Sequence, residues 1–230
     1  MLGLAPAGLE KKFNKYLECH GLKPSDSSSS RLRVAGFSSD RVPPLKVRTK
    51  LTNLESPLNF ARFYLHELLP RSAHKVLYLD ADTIVHGDAV ELYDAALPHD
   101  ELCAATLRKQ TLGAKGVASL KGDRLQKRFR ERYHAKLPLH EHGFNAGVFV
   151  FNLRAWAELN LTSEVEHWIR ANNAEQLYAL GSQPPLTLSI LGARHATGRC
   201  QPLPSEWHLD CLGCLGAGRL KTAEQLSAAK

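Results

Sequence analysis

Asp80 and Asp82 follow directly on four apolar or aromatic residues, Val76, Leu77, Tyr78 and Leu79, and that conjunction is the clearest mark of chemistry in the chain. Val76 to Leu79 reads as a fully buried strand, and in open α/β sheets ligands gather at the carboxyl ends of such strands. On an extended chain, residues two apart share a face, so both carboxylates would reach one hard cation or one reacting group. Two adjacent carboxylates lifted out of water also require a counter-ion. A strand followed by Asp-Ala-Asp-Thr serves two chemistries. In one, a carboxylate attacks phosphorus while its neighbour moves protons. In the other, both anchor a divalent cation that neutralises a diphosphate as a glycosidic bond breaks. The first needs a later acidic pair for magnesium, and Glu158, Glu164, Glu166, Glu175, Glu206 and Asp210 are too scattered to form one. Spacing therefore favours the second chemistry and leaves the first open.

The elements around the aspartates must position them. From Ser56-Pro57 to Pro70, the apolar residues Leu58, Ala61, Leu65, Leu68 and Leu69 keep helical spacing, which puts Arg62 on a helix that feeds the aspartate strand. Downstream, Asn145, Ala146 and Gly147 precede a second apolar run, Val148 to Phe151, and small residues there admit close approach of backbone or ligand. Further helices are expected over Leu9–His20, Val90–Ala96 and Ala155–Asn172, strands over Arg31–Phe37 and Leu102–Leu107, a polar loop over Asp26–Ser30, and a turn over Leu180–Pro185. Leu125, Phe129 and Tyr133 fall four apart, a helical core stripe that leaves Lys127, Arg128, Arg130 and Arg132 as a solvated face. Strands alternating with helices give an α/β fold with a mixed, mostly parallel sheet flanked by helices, in a single domain over residues 1–230.

Composition narrows the partners. With 43% hydrophobic and 23% charged residues the chain has the make-up of an ordinary globular domain. The net charge of +7 is local: Thr106 to Lys136 holds ten Lys or Arg against Asp123 and Glu131, so the rest is close to neutral. A nucleic-acid binder spreads its charge more widely, and none is expected as a partner. No apolar run reaches the ~18 residues of a membrane helix. Five cysteines, with only Cys211 and Cys214 close together, do not make a disulfide framework, and free or structural thiols are expected. Asn160-Leu161-Thr162 fits a glycosylation acceptor, while Thr162 or Ser163 equally suits a helix cap, with Ser163 and Glu166 in capping-box spacing.

Three ordered motifs, Pro57-Leu-Asn-Phe-Ala-Arg-Phe-Tyr-Leu65, Leu77-Tyr-Leu-Asp-Ala-Asp-Thr-Ile-Val-His-Gly-Asp-Ala-Val-Glu-Leu-Tyr-Asp94 and Phe144-Asn-Ala-Gly-Val-Phe-Val-Phe-Asn-Leu-Arg-Ala-Trp156, resemble the family 8 glycosyltransferases, in particular the glycosyltransferase 8 domain-containing and galacturonosyltransferase-like members. The strand and Asp-x-Asp-Thr alone also resemble the first motif of haloacid-dehalogenase-type phosphatases, a less supported reading. The family 8 resemblance covers about residues 31–215. It implies a GT-A nucleotide-diphospho-sugar transferase fold, a UDP-sugar donor, manganese with magnesium as the alternative, an unknown glycan or other hydroxyl acceptor, retention of anomeric configuration, and a Golgi or secretory-lumen location. Position by position, Asp80 and Asp82 resemble the metal-holding DxD pair, with Asp80 also meeting the donor. Arg62 resembles the donor-binding arginine, and Asn145, Ala146 and Gly147 the segment that contacts the transferred sugar. Gln183 falls near the family's Asp-Gln pair, with Ser182, Pro184 and Pro185 where other members carry acids, which favours a front-face mechanism without an enzymic nucleophile. Leu203 to His208 resembles a structural Pro-x-x-Trp segment. The family's opening strand and its closing metal-binding His segment have no counterpart, so the domain is expected to be incomplete at both termini, as a truncated transferase or an inactive UDP-binding or partner-binding relative.

Overall fold

A computed structural model describes residues 2–6, 33–45, 54, 56–99, 101–115, 119–179, 181–197 and 200–208. The helix expected over Leu9–His20, the loop Asp26–Ser30 and the pair Cys211 and Cys214 lie outside these residues. Strands β1 (Leu2–Pro6) and β2 (Arg33–Phe37) form a two-stranded parallel sheet. A 3-10 helix over Pro57–Tyr64 runs into the single turn α1 (Leu65–Leu68). There follow β3 (Lys75–Leu79), α2 (Ala89–Ala95), β4 (Cys103–Thr111), α3 (Asp123–Tyr133), β5 (His142–Asn152), α4 (Leu153–Glu158), α5 (Leu161–Glu175), α6 (Gln183–Thr197) and β6 (Cys200–Leu203). Among the described residues, no helix is long and apolar enough to cross a membrane.

The main sheet has the order β3-β5-β4-β6. β5 pairs antiparallel with β3 and with β4, and only β4 with β6 is parallel. The sheet is mixed, as expected, but its pairings are not mostly parallel. Strand and helix alternation cannot tell that β5 is inserted between β3 and β4 in the opposite direction. β3, expected to be fully buried, is half-buried; among the described residues it is the sheet's edge strand, paired on one side.

Alternation along β5 builds two cores. Phe149 and Phe151 face one way, into a cluster with Phe60, Phe63, Trp156, Val165, Ile169, Leu186 and Ile190 from the 3-10 helix, α4, α5 and α6. Val148 and Val150 face the other way, against Leu92 and Ala96 at α2 and Leu203 on β6. A third cluster joins α3 to α5 and α6 through Leu125, Phe129, Trp168 and Leu188. Leu125 and Phe129 are the predicted core stripe, but the basic face is not simply solvated. Arg128 bridges Glu175 at 2.7 Å and Arg132 bridges Glu164 at 2.6 Å, so two arginines of α3 clasp α5.

Local chemistry moved several other boundaries. The segment from Pro57 begins as a 3-10 helix, not an α-helix. Pro184 and Pro185 lie in the first turn of α6 instead of a turn before it, since a first helical turn needs no amide hydrogens from its own residues. The helix expected over Ala155–Asn172 is two, α4 and α5, with Asn160 between them in the left-handed conformation at φ 51°. Neither Thr162 nor Ser163 caps α5. Asn160 stands at the N-cap without a side-chain cap bond, and the Ser163 hydroxyl donates to Asn160 Oδ1 at 2.8 Å. The buried Thr162 hydroxyl donates to Phe63 O at 2.7 Å and accepts from Trp156 Nε1 at 2.9 Å. Cys103 and Cys200, expected as thiols, are register partners on β4 and β6 and form a disulfide with Cα atoms 4.5 Å apart. Their 97-residue separation gave no spacing signal, because parallel neighbours meet through a long crossover.

Candidate functional site

β3 ends at Leu79, and the chain turns at once: Thr83 N donates to Asp80 O at 3.0 Å. Asp80 and Asp82 are therefore not two positions on one face of an extended strand. Asp80 stays tied to the sheet through its N–H, which donates to Gly147 O at 2.8 Å, while Asp82 is exposed on the turn.

Asp80 has a counter-ion in the protein. Arg62 Nη2 donates to its Oδ1 at 2.9 Å, and the Tyr78 hydroxyl donates to the same oxygen at 2.8 Å. The guanidinium is only 6% exposed and every arm is used: Nη1 donates to Ala146 O at 2.9 Å, Nη2 also to Asn59 Oδ1 at 2.8 Å, and Nε to Asn59 O at 3.3 Å. The 3-10 helix explains this geometry, because residues three apart eclipse one another in it, placing Asn59 over Arg62. The Arg62 Cζ also lies 4.4 Å from the Tyr78 ring centroid, a cation–π contact. Burial, together with the Asp80 carboxylate, pushes the Tyr78 hydroxyl well above its ordinary value and keeps it a donor.

Gly147 lets these parts meet. A Cβ there would lie 3.0 Å from His208 Cε1, 3.2 Å from Asp80 Oδ2 and 3.4 Å from Asn145 Oδ1, so the glycine admits a carboxylate and an imidazole against the strand. Asn145 Oδ1 accepts from Gly147 N at 3.0 Å within β5, which begins at His142 and not at Val148 as expected, in the irregular stretch between the Phe144 and Phe149 pairings. Gln183, at the start of α6, donates through Nε2 to Phe144 O, and its Oε1 faces Ala146 N and Arg108 Nη2, each at 3.4 Å.

The structure thus joins Arg62, Asp80, Ala146, Gly147, Asn145 and Gln183 in one continuous network and leaves Asp82 at its rim. It adds Asn59, Tyr78, Arg108 and His208, which sequence reasoning did not place there, and gives Ser182, noted only as standing where other members carry an acid, a contact in it. Tyr78, two residues before Asp80, and Asn59, three before Arg62, were within reach of local spacing; Ser182, which donates to Asn59 Oδ1 at 3.1 Å, and His208 needed the tertiary fold.

The donor set suits a hard cation only as an oxygen anchor. Asp80 Oδ1 is taken by Arg62 and Tyr78, which leaves Oδ2 and the exposed Asp82. Among the described residues, no three His, Cys, Asp or Glu side chains gather as a metal site. Two carboxylates with the remainder supplied by phosphate and water is a normal arrangement for magnesium-like ions, so the oxygen chemistry of Asp80 and Asp82 is compatible with such an ion.

Residues 7–226 match the family model described as glycosyl transferase family 8. The chain is 32% identical over 198 residues to glycosyltransferase 8 domain-containing protein 1 of Danio rerio, covering 80% of this chain and 52% of that protein. It is 31% identical over 189 residues to "Probable galacturonosyltransferase-like 5" of Arabidopsis thaliana, covering 80% and 48%. The chain spans about half the length of these curated relatives. In three dimensions it is similar to the galactosyltransferase LgtC, solved with donor and acceptor sugar analogs, at a TM-score of 0.54 and 18% identity, covering 80% of this chain and 56% of that one. That likeness establishes a GT-A fold, α/β with a mixed sheet flanked by helices. By its family match over nearly its whole length and by its fold, the chain belongs to glycosyl transferase family 8.

Proposed function

We propose that the chain is a single catalytic domain of a retaining glycosyltransferase that moves a hexosyl or uronosyl group from a UDP-sugar to a glycan or other hydroxyl acceptor. The observation that carries this reading is the Arg62–Asp80 pair bonded to the Ala146–Gly147 backbone: one network connects the carboxylates after β3 to the small-residue segment of β5. Family membership favours glycosyl over phosphoryl chemistry for the Asp-x-Asp-Thr turn.

In this reading Asp80 and Asp82 would hold manganese or magnesium, which when bound would supply positive charge to neutralise the donor's diphosphate. Arg62 orients Asp80 through the bond to its Oδ1. The Asn145–Gly147 backbone, pinned by Arg62 and Gln183, forms the floor under the transferred sugar. Gln183 has both ends of its amide engaged, which suits a group that positions backbone and not one that attacks carbon. The donor's C1–O bond then breaks with its electron pair leaving on the diphosphate. The acceptor oxygen bonds to C1 from the same face, and its proton passes to the departing phosphate oxygen. The Cys103–Cys200 disulfide supports a secretory-lumen location, since disulfides persist in oxidising compartments.

The test is titration of the purified chain with manganese, read by the ion's electron paramagnetic resonance with and without UDP, followed by release of sugar from labelled UDP-sugars. Manganese-dependent UDP binding and turnover, both lost in Asp82→Ala, are expected. Turnover undiminished by Asp82→Ala refutes the assignment. UDP binding without turnover of any donor favours an inactive UDP-binding relative.

A further inference from the structure

Arg108 is a half-buried cation whose charge no carboxylate among the described residues balances. It makes no ion pair among the described residues, its Nη2 reaches only Gln183 Oε1 at 3.4 Å, and its Nε is buried without an acceptor. A guanidinium stays charged, and partial burial without an anion or full hydrogen bonding is unfavourable. Other arginines of this fold do not sit this way: Arg62, Arg128, Arg132 and Arg194 each face a carboxylate.

The backbone aims Arg108 deliberately. It lies in the irregular stretch of β4 where the register passes from Leu107↔Phe144 to Thr111↔His142, so four steps along β4 match two along β5. Such bulges redirect side chains beside functional sites. His142 Nδ1 lies 2.9 Å from Arg108 O and holds the bulge in place. The contacts then form a sequence across the site: Asp80 to Gly147, Ala146 to Gln183, and Gln183 to Arg108. With the diphosphate at the Asp80 end and the sugar over residues 145–147, Arg108 stands at the sugar end of the site. Nη1 makes no protein hydrogen bond among the described residues and is not fully buried, so the outer edge of the fork is open.

We infer that Arg108 is a specificity-determining residue that binds a carboxylate carried on a sugar ring, and hence that one of the two sugars joined at this site is a uronosyl residue. The inference rests on the transferase reading above. A planar fork matches a carboxylate with two parallel hydrogen bonds, which a neutral hydroxymethyl group at the same ring position cannot accept as strongly. The carboxylate belongs to either the donor or the acceptor, and binding separates the two.

The experiment is calorimetric titration of the full chain with manganese present, using UDP alone, UDP-glucuronate against UDP-glucose, and UDP-galacturonate against UDP-galactose. A second arm adds UDP and compares an acidic with a neutral trisaccharide. The acidic member of one arm is expected to bind about tenfold more tightly or better, with Arg108→Gln bringing that ratio close to one and Arg108→Lys keeping part of it. Thermal melts of both variants show whether they fold, and the ratio in the unmutated chain stands whether or not they do. UDP binding with acid-to-neutral ratios near one in both arms overturns this inference alone, as does a preference untouched by a folded Arg108→Gln. Absence of UDP binding overturns the transferase reading and this inference with it.

Discussion

Replacing Arg62 by methionine keeps most of the buried stem and removes the charge that faces Asp80, so it isolates the pair at the centre of the site. Two unit charges about 4 Å apart attract by about 4 kcal/mol at the effective dielectric of ~20 that suits partly exposed pairs. Arg62 is 6% exposed and Asp80 33% exposed, so part of that attraction is offset by desolvation, mainly of the arginine. A net coupling of about 1–2 kcal/mol remains. The single change also strands Ala146 O and the Asn59 acceptors, each bond contributing about 1 kcal/mol. Arg62→Met is therefore expected to cost about 3–5 kcal/mol, a large share of the ~5–15 kcal/mol that holds a domain folded. Asp80→Asn removes the charge and keeps an acceptor for Tyr78. Urea denaturation of the unmutated chain, both single variants and the double variant gives the coupling directly. A double variant less damaged than the sum of the singles, by about 1–2 kcal/mol, is the expected result. Additivity within about 0.5 kcal/mol would mean that Arg62 does not neutralise Asp80, and would refute the reasoning.

Two further outcomes are expected. Reducing the Cys103–Cys200 bridge is expected to lower stability by about 2–4 kcal/mol, with Cys200→Ala matching the reduced protein in urea and insensitive to added thiol; equal midpoints with and without thiol contradict it. Stability is expected to decline in acid in two stages. His66 and His167 are both held below their ordinary value, first by burial and then by cationic neighbours including Arg41 and Arg132 respectively. The unfolded chain takes up these protons near pH 6.5 while the folded one does not, so stability falls as pH drops from about 6.5 toward their folded values. Burial of Glu164 opposes its ionisation, but hydrogen bonds from Arg132 and Tyr133 prevail and hold it below its ordinary value, so its contribution is present above about 4.5 and is lost as pH falls through the folded value. Melting temperature measured from pH 7.5 to about 2.5 reads both stages, and a flat profile between pH 6.5 and 5 contradicts the histidine part.

The site was legible where its cause was local or carried by an ordered motif. The apolar run before Asp80 and the small residues before Val148 located both strands, and alternation along β5 accounts for both cores. What was not legible depended on meetings across the fold. The charge of Asp80 asked for a counter-ion, and the one expected was a cation shared with Asp82; that a protein neighbour, Arg62, faces Asp80 required the 3-10 winding that stacks Asn59 on it. The turn at Thr83, which separates Asp82 from Asp80, hinges on one backbone hydrogen bond that strand periodicity does not encode. Pairing direction and the disulfide escaped for the same reason, because both are set by where β5 and β6 return to the sheet.

Use of the Asn160-Leu161-Thr162 tripeptide as a glycosylation acceptor would carry a timetable. In the folded domain Thr162 is buried and its hydroxyl already serves Phe63 and Trp156, so the tripeptide cannot be drawn into an enzyme's groove without unwinding the first turn of α5. A glycan on Asn160 would therefore have to be attached to the nascent chain, before α4 and α5 close around the Trp156 indole. The fraction of molecules carrying it would record how slowly that corner folds during synthesis.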